Sequence, residues 1–317
     1  MVTHYRGINW NAVEDDLDKI VWDRLTTNFW LPEKVPVAND LPSWRVMPEG
    51  EREVIRKVFA SLTLLDTLQG SVGMPALAEY AKTQHEEAVL SNIAFMEHVH
   101  AKSYSTIFST LCSTEEINEL FEWAATEPLL QEIAEAFLIA YDEGAALPPA
   151  MHMISVFSES FLFYTGFYAP LRMASEGKIT NTADIIRLIL RDEGVHGFYV
   201  GAKFQKLRQE YPALTDDKIR TFLLQLYELE SKRVDLIYET VDWADEVKVF
   251  LRYNANKALA NLGIEPLFPA EETQIPAYIM AALDPGTGET HDFFSGSGAS
   301  YVMGKTESTD DNDWAWD

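Results

Sequence analysis

The chain has 317 residues, 47% of them hydrophobic, which is enough apolar material for one large domain or two. Its formal net charge of −25 argues against a nucleic-acid or anionic-membrane surface, because such surfaces need basic patches. The single cysteine, Cys112, excludes an internal disulfide and fits a reducing cytosol.

The beginning of the chain indicates where the protein works. The first 16 residues have no apolar run behind a basic end, so a secretory signal is not expected. Together with the cysteine usage, this predicts a cytoplasmic protein.

The hydrophobic pattern has the period of α-helices along almost the whole chain. A short helix is predicted at residues 15–26, and a loop punctuated by prolines follows it. Longer helices are predicted at residues 50–79, 84–111, 127–143, 147–174, 181–209, 214–241 and 245–262. Pro75 lies inside the first of them and is expected to kink or end it. Helices of this length, with almost no strand-like alternation, predict an all-α fold in which a bundle of long helices surrounds a buried site.

The most apolar stretch, residues 151–174, is predicted to be a helix buried inside the protein. Glu159 lies at its middle and Arg172 near its end. A membrane span would place the carboxylate in lipid at a cost of roughly 2.5–3.5 kcal/mol or more. Burial against other helices is the better interpretation.

Two E-x-x-H pairs are the most informative motif of the chain: Glu97 with His100, and Glu193 with His196. Residues at i and i+3 lie on one face of a helix, so each pair can direct a carboxylate and an imidazole to one point. A carboxylate-bridged di-metal site in a helical bundle needs two such pairs and one further carboxylate from each of two other helices.

Two lone carboxylates complete that set. Asp66 and Glu159 each lie among apolar residues, where a bare carboxylate is costly to bury unless it is paired or bound to a metal. The six residues therefore predict a buried di-metal site. The alternative is that the histidines are ordinary core residues with satisfied hydrogen bonds and that the acids cap helices.

Four carboxylates with two imidazoles favour iron or manganese as the metal. Such a site can activate oxygen, store iron or oxidise a nearby side chain. Tyr104 lies four residues after His100 and seven after Glu97, on the face that carries the ligands. We expect it to be the oxidised residue, inside an apolar shell that includes Phe161, Phe163, Phe167 and Ile189. An ordinary core tyrosine is the alternative.

In combination these motifs resemble the small (beta, radical-generating) subunit of ribonucleotide reductase, most closely that of class Ib. The resemblance covers nearly the whole chain and rests on Asp66, Glu97-x-x-His100-x-x-x-Tyr104, Ser158-Glu159-Ser160-Phe161-Leu162-Phe163-Tyr164 and Arg191-Asp192-Glu193-x-x-His196. It implies a homodimeric, ferritin-like helical bundle with two metal ions per chain, manganese or iron. It also implies a stable tyrosyl radical at Tyr104, which is passed to a separate large (alpha) subunit that reduces ribonucleotides to deoxyribonucleotides.

The resemblance also implies roles for individual residues. The metal ligands would be Asp66, Glu97, His100, Glu159, Glu193 and His196. Asp192 would link His100 to Trp30, and Tyr301 would transfer the radical at the subunit junction. Activation would use iron with oxygen, or manganese with an oxidant delivered by a flavodoxin-like partner.

The end of the chain differs in character from the rest. Residues 285–317 are rich in glycine and acidic residues and predict a flexible acidic tail after a di-metal domain at residues 1–284. The tail carries Trp314 and Trp316, and large aromatic residues are typical interface anchors. The resemblance implies that this tail docks into the large subunit. A frayed terminus without a role is the alternative.

Two other functions are compatible with a di-metal bundle: a di-iron oxygenase or oxidase of the same superfamily, and an iron store of the ferritin type. Tyr104 and the tryptophans of the tail argue against the first, because an oxygenase does not need them. An iron store predicts a shorter chain that forms a cage, and this chain is nearly twice as long as a typical bundle subunit. One cysteine also cannot supply the reducing thiols that ribose reduction requires, so a reductase would need its substrate site on another polypeptide.

His98 stands where a small polar residue is expected. It points about 100° around the helix from Glu97, so it is not expected to be a ligand.

Overall fold

The computed structural model describes residues 6–142 and 146–283, and all regular structure within these two ranges is helical. The long helices are α1 (Asp16–Thr27), α3 (Glu49–Leu68), α5 (Gln84–Leu111), α6 (Thr114–Thr126), α7 (Pro128–Asp142), α8 (Pro148–Phe157), α9 (Phe163–Ser175), α10 (Thr180–Arg208), α11 (Asp216–Ile237) and α12 (Ala244–Asn261). Shorter elements are α2 (Leu41–Val46), α4 (Met74–Ala78), α13 (Ala277–Leu283) and the 3₁₀ turns Pro32–Lys34, Val37–Asp40 and Ala270–Glu272. The predicted all-α bundle is confirmed.

Four long helical segments form the centre of the bundle. Helix α3 packs on α5 and α9, while α10 packs on α8, α9 and α5. Every residue from 151 to 171 is buried, so the most apolar stretch is an internal helix, as its central carboxylate predicts. Among the residues that the structure describes, no helix combines the length and the apolar character needed to cross a membrane.

Two turns of π-helix interrupt the central helices. One, Gln69–Gly73, follows α3 directly, and the other, Ser158–Leu162, joins α8 to α9 and contains Glu159. Single π-turns of this kind are frequent at functional sites. Pro75 follows the first π-turn in the opening turn of α4, where its missing N–H costs little, and the helix ends three residues later.

The start of α10 is fixed by a carboxylate from a distant part of the chain. The turn before α10 includes Ile179 in the left-handed region, with φ 39°. Asp40 accepts hydrogen bonds from the backbone N–H groups of Asn181 (3.1 Å) and Thr182 (2.6 Å), and from both of their side chains. It thereby satisfies N–H groups that the helix itself leaves without acceptors, and its negative charge suits the positive end of the helix dipole.

Candidate metal centre

All six residues that the sequence predicts as ligands meet in the core of the bundle. They are supplied by α3 (Asp66), α5 (Glu97 and His100), the π-turn between α8 and α9 (Glu159) and α10 (Glu193 and His196). Each of the six is at most 1% exposed. The i, i+3 spacing therefore acts as helical geometry predicts, with both pairs directed at the same point.

The donor atoms form two groups that share one carboxylate. In the first subsite, the donors of Asp66, Glu97 and His100 all lie within 4.8 Å of one another. In the second subsite, the same holds for Glu97, Glu159, Glu193 and His196. Glu193 also reaches the first subsite, since its Oε1 lies 3.0 Å from Nδ1 of His100. Glu97 and Glu193 thus lie between the two subsites, where a carboxylate can bridge two ions.

Most donor atoms of the cluster make no hydrogen bond to any residue that the structure describes. These atoms are both oxygens of Asp66, Glu97 and Glu193, Oε2 of Glu159, Nδ1 of His100 and both ring nitrogens of His196. Buried polar atoms nearly always have a partner, and buried carboxylates without one are costly. Two divalent ions would bind these atoms and offset the four negative charges, and oxygen with imidazole ligands suits manganese or iron. The residues present therefore fit a pair of such ions.

Burial and mutual repulsion also change the proton affinity of the cluster. Burial, followed by the negative charge of Glu97, raises the pKa of Asp66 and of Glu159 well above the usual range. Burial lowers the pKa of His100 and His196, but the carboxylates beside them outweigh this effect and raise it. Protons and metal ions therefore compete for the same atoms.

Asp192 and Trp30 lie behind His100, on the side away from the cluster. Asp192 Oδ2 is 3.3 Å from Nε2 of His100 and accepts a 2.6 Å hydrogen bond from Nε1 of Trp30. The Trp30 and His100 rings are stacked with their centroids 6.1 Å apart. Arg191 contacts the other oxygen of Asp192 at 3.4 Å. The arrangement orients the imidazole so that its Nδ1 faces the ligand carboxylates.

Tyr104 lies on the same helix as Glu97 and His100 and is fully buried. Its ring stacks on Phe59, with the centroids 5.4 Å apart, and its hydroxyl makes no hydrogen bond within residues 6–142 and 146–283. Burial, followed by the charge of Asp66, raises the pKa of this phenol well above its usual range. The four apolar residues predicted around the site are all fully buried: Phe161, Phe163, Phe167 and Ile189.

Two further parts of the sequence prediction concern His98 and the end of the chain. His98 is exposed, and its ring lies near Gly70. Tyr301, Trp314 and Trp316, together with the tail at residues 285–317, lie outside the described residues.

The sequence analysis missed three residues that hold Glu159 from outside the cluster. Gln69 donates hydrogen bonds to Glu159 Oε1 (2.6 Å) and to Ser155 Oγ (2.8 Å), and Tyr141 donates to Gln69 Oε1 (2.6 Å). The sequence contains a weak signal for one of them, because Gln69 follows Asp66 at the same i, i+3 spacing as the E-x-x-H pairs.

Known proteins with this sequence pattern and this fold were found in three comparisons. Residues 7–276 match the family model described as the ribonucleotide reductase small chain. Ribonucleoside-diphosphate reductase 2 subunit beta of Escherichia coli K12 is 52% identical over 312 residues, which cover 97% of each chain. Subunit beta nrdF2 of the same enzyme from Mycobacterium tuberculosis is 52% identical over 324 residues, 99% of this chain and 98% of the relative. The crystal structure of dimanganese(II)-NrdF from Streptococcus sanguinis is 47% identical, with a TM-score of 0.84, and the match covers 89% of this chain and 100% of that chain.

Proposed function

The chain belongs to the ribonucleotide reductase small-chain family, and we propose that its six buried donors hold two metal ions that oxidise Tyr104 to a radical for a separate large subunit. The observation that carries the proposal is the set of buried carboxylate and imidazole atoms without hydrogen bonds, directed at one another on the helices that also carry the tyrosine. With two metal ions bound, the site would allow an external oxidant, either oxygen or one delivered by a partner, to take an electron from the phenol.

The surroundings of Tyr104 suit a phenol that is oxidised and then protected. Because burial and the charge of Asp66 raise its pKa, the hydroxyl keeps its proton until the ring is oxidised. Loss of one electron and one proton together leaves a neutral radical on the ring. The side chain has no exposed surface and packs on Phe59, so water and reductants have no access to it.

Transfer out of the site would use Trp30, Asp192 and His100. Their hydrogen bonds join a buried indole to a ligand imidazole, which suits the movement of an electron together with a proton. We propose that Tyr301 continues this path at the junction with the large subunit. The tail at residues 285–317, with Trp314 and Trp316 as anchors, would dock there.

Cysteine usage supports a substrate site on another polypeptide. Cys112 is the single cysteine of the chain, and burial together with the charge of Glu116 raises its pKa to about 11. It is therefore a neutral thiol at physiological pH and has no second thiol to form a reducing pair. Membership of the family implies a separate large catalytic subunit that carries the substrate site, and it also implies a homodimer of this chain.

Similarity to the dimanganese(II) protein from Streptococcus sanguinis supports manganese and the class Ib assignment. We therefore propose that a flavodoxin-like partner delivers the oxidant and that the protein works in the cytoplasm. Iron with oxygen is the second activation that the same ligand set permits.

The test compares Tyr104→Phe with a matched control, Tyr238→Phe. Tyr238 is also fully buried, but its hydroxyl donates to the backbone of Thr165, away from the metal ligands. After loading with manganese or iron and activation, wild type and Tyr238→Phe should show a tyrosyl radical by electron paramagnetic resonance and about two metal ions per chain. Tyr104→Phe should bind the same metal without the radical and without nucleotide reduction by the complex. Full activity in that variant would overturn the assignment.

A second test concerns the tail. Deleting residues 309–317 should leave the radical yield unchanged and weaken binding to the large subunit, measured by titration of one subunit with the other. An unchanged affinity would refute the docking role.

A further inference from the structure

A buried chain of hydrogen bonds leads away from Glu159 on the side opposite the metal subsites. Gln69 joins Glu159, Ser155 and Tyr141 through bonds of 2.6, 2.8 and 2.6 Å, and we call these four residues the Gln69 network. All four residues are at most 5% exposed. No step of the proposed radical chemistry uses Gln69, Ser155 or Tyr141.

Hydrogen-bond chemistry fixes the direction of every bond in this network. In the metal-loaded chain Glu159 would be an ionised ligand that can only accept, and the amide nitrogen of Gln69 faces it. The amide oxygen of Gln69 then faces Tyr141, which must donate. Burial and the negative charge of Glu159 raise the pKa of Tyr141 well above its usual range, so its phenol keeps the proton that it donates.

The backbone around Gln69 is shaped to admit this network. The π-turn Gln69–Gly73 brings the backbone of Gly73 against the hydrogen bond between Tyr141 and Gln69. A Cβ atom at Gly73 would lie 2.5 Å from Gln69 Oε1 and 2.8 Å from the Tyr141 hydroxyl. Any side chain at this position would therefore displace the amide.

The network makes the two oxygens of Glu159 inequivalent. Oε1 accepts the hydrogen bond from Gln69, whereas Oε2 has no hydrogen-bond partner in the described part of the chain and lies 3.3 Å from Nδ1 of His196. We propose that Gln69, held by Tyr141 and Ser155, is a positioning residue that presents Oε2 of Glu159 to the second subsite and so sets the affinity of that subsite for its metal ion. The inference rests on the proposed metal site and adds to it a cause for the difference between the two subsites.

Two substitutions separate positioning from packing. Gln69→Leu keeps the approximate volume and removes both hydrogen bonds to Glu159 and Ser155. Tyr141→Phe removes only the hydroxyl that holds the Gln69 amide. Alanine at position 141 is unsuitable, because Tyr141 borders a surface cavity of about 510 Å³ that the truncation would join to the core. Tyr238→Phe is again the matched control.

The experiment titrates the metal-free full-length chain with Mn(II) alone and follows free and bound Mn(II) by electron paramagnetic resonance. Wild type and Tyr238→Phe should bind two ions per chain and, at two equivalents, give the spectrum of a coupled pair. Gln69→Leu should bind one ion with unchanged affinity and the other about 10- to 100-fold more weakly, as is typical for loss of a partner behind a metal ligand. At two equivalents it should therefore show the resolved signal of an isolated ion.

Tyr141→Phe should weaken the binding of the same ion by a smaller factor. Adding it to Gln69→Leu should change nothing further, because Tyr141 acts through Gln69. Thermal unfolding of each metal-free variant shows whether it is folded.

The outcomes separate this inference from the proposed metal site. If wild type binds no ion, or one only, the metal site itself is wrong. Two unchanged affinities in Gln69→Leu would overturn the positioning role and leave the metal site standing. Equal weakening of both ions would also overturn it, since a general loss of structure has no preference for one subsite.

Discussion

Removal of the metal ions should make the stability of the folded chain fall as the pH rises. In the metal-free chain, burial raises the pKa of Asp66 and Glu159, and neighbouring carboxylates raise that of His100 and His196. Protons on these four groups bring the metal-free cluster close to neutrality. Two divalent ions with four carboxylates and two neutral imidazoles are neutral as well. Metal binding therefore displaces up to about four protons.

The sign of the effect follows from the raised pKa values. The unfolded chain releases these protons near the ordinary pKa values of 3.8, 4.5 and 6.5, whereas the folded metal-free chain retains them to higher pH. Their contribution to stability is therefore complete below the unfolded pKa values and is lost as the pH rises through the folded ones. Each retained proton lowers the free energy of unfolding by about 1.4 kcal/mol per pH unit. One group alone should lower the melting temperature by about 2 °C per pH unit.

The metal-loaded chain should show almost no such dependence, because each displaced proton strengthens metal binding about tenfold per pH unit and so offsets the stability that the metal-free fold loses. The assay is thermal unfolding between pH 6.5 and 8.5, with a chelator and with Mn(II). Proton release on binding is measured by calorimetry in two buffers. His196→Asn should remove about one retained proton from the folded metal-free chain, so that its free energy of unfolding falls less steeply with pH. A metal-free melting temperature that is level or rises over this range, or release of fewer than two protons, would refute the neutral-cluster argument.

Three further predictions concern residues outside the cluster. Trp30→Phe keeps an aromatic ring beside His100 and removes the 2.6 Å donor to Asp192. Metal content and radical yield should stay the same, while nucleotide reduction with the large subunit should fall. Turnover and electron paramagnetic resonance, measured on one sample, will show this. Asp40→Ala should cost about 2–4 kcal/mol of unfolding free energy in urea titrations, because it leaves several donors at the start of α10 without an acceptor; a loss below 0.5 kcal/mol would contradict this. Burial lowers the pKa of His152 to about 4, so its contribution to stability is lost as the pH falls from 6.5 towards 4, and His152→Gln should flatten the acid side of the stability profile.

The ligands could be predicted from the sequence because their positions depend on local geometry. An i, i+3 pair on a long helix fixes which face both side chains share, whatever the helix packs against. Burial follows from the apolar residues around Asp66 and Glu159. The remaining step, that four such segments meet at one point, came from the known architecture of di-metal bundles.

The residues behind the ligands could not be predicted in the same way. Asp40 and Asn181 are 141 positions apart, and Gln69 and Glu159 are 90 apart, so no periodic pattern connects them. The two π-turns add to the difficulty, since a single extra residue per turn changes which side chains share a face and leaves no clear mark in the hydrophobic pattern. The stacking of Phe59 on Tyr104 could not be predicted for the same reason, because the two residues lie on different helices.

The two ends of the cluster are held by different means. At the first subsite, consecutive acids of α10 contact both nitrogens of one imidazole: Glu193 Oε1 is 3.0 Å from Nδ1 of His100 and Asp192 Oδ2 is 3.3 Å from Nε2. Glu193 and Asp192, which are adjacent in the sequence, thus contact the same imidazole, and the indole of Trp30 donates to Asp192. At the second subsite, His196 Nε2 makes no hydrogen bond among the described residues, and Glu159 is instead held by an amide from another segment. An ionic contact that continues to Trp30 suits the exchange of electrons and protons, whereas a neutral amide fixes a carboxylate without adding charge. This difference fits the two proposed roles, transfer at the end that contains His100 and retention of the ion at the end that contains Glu159.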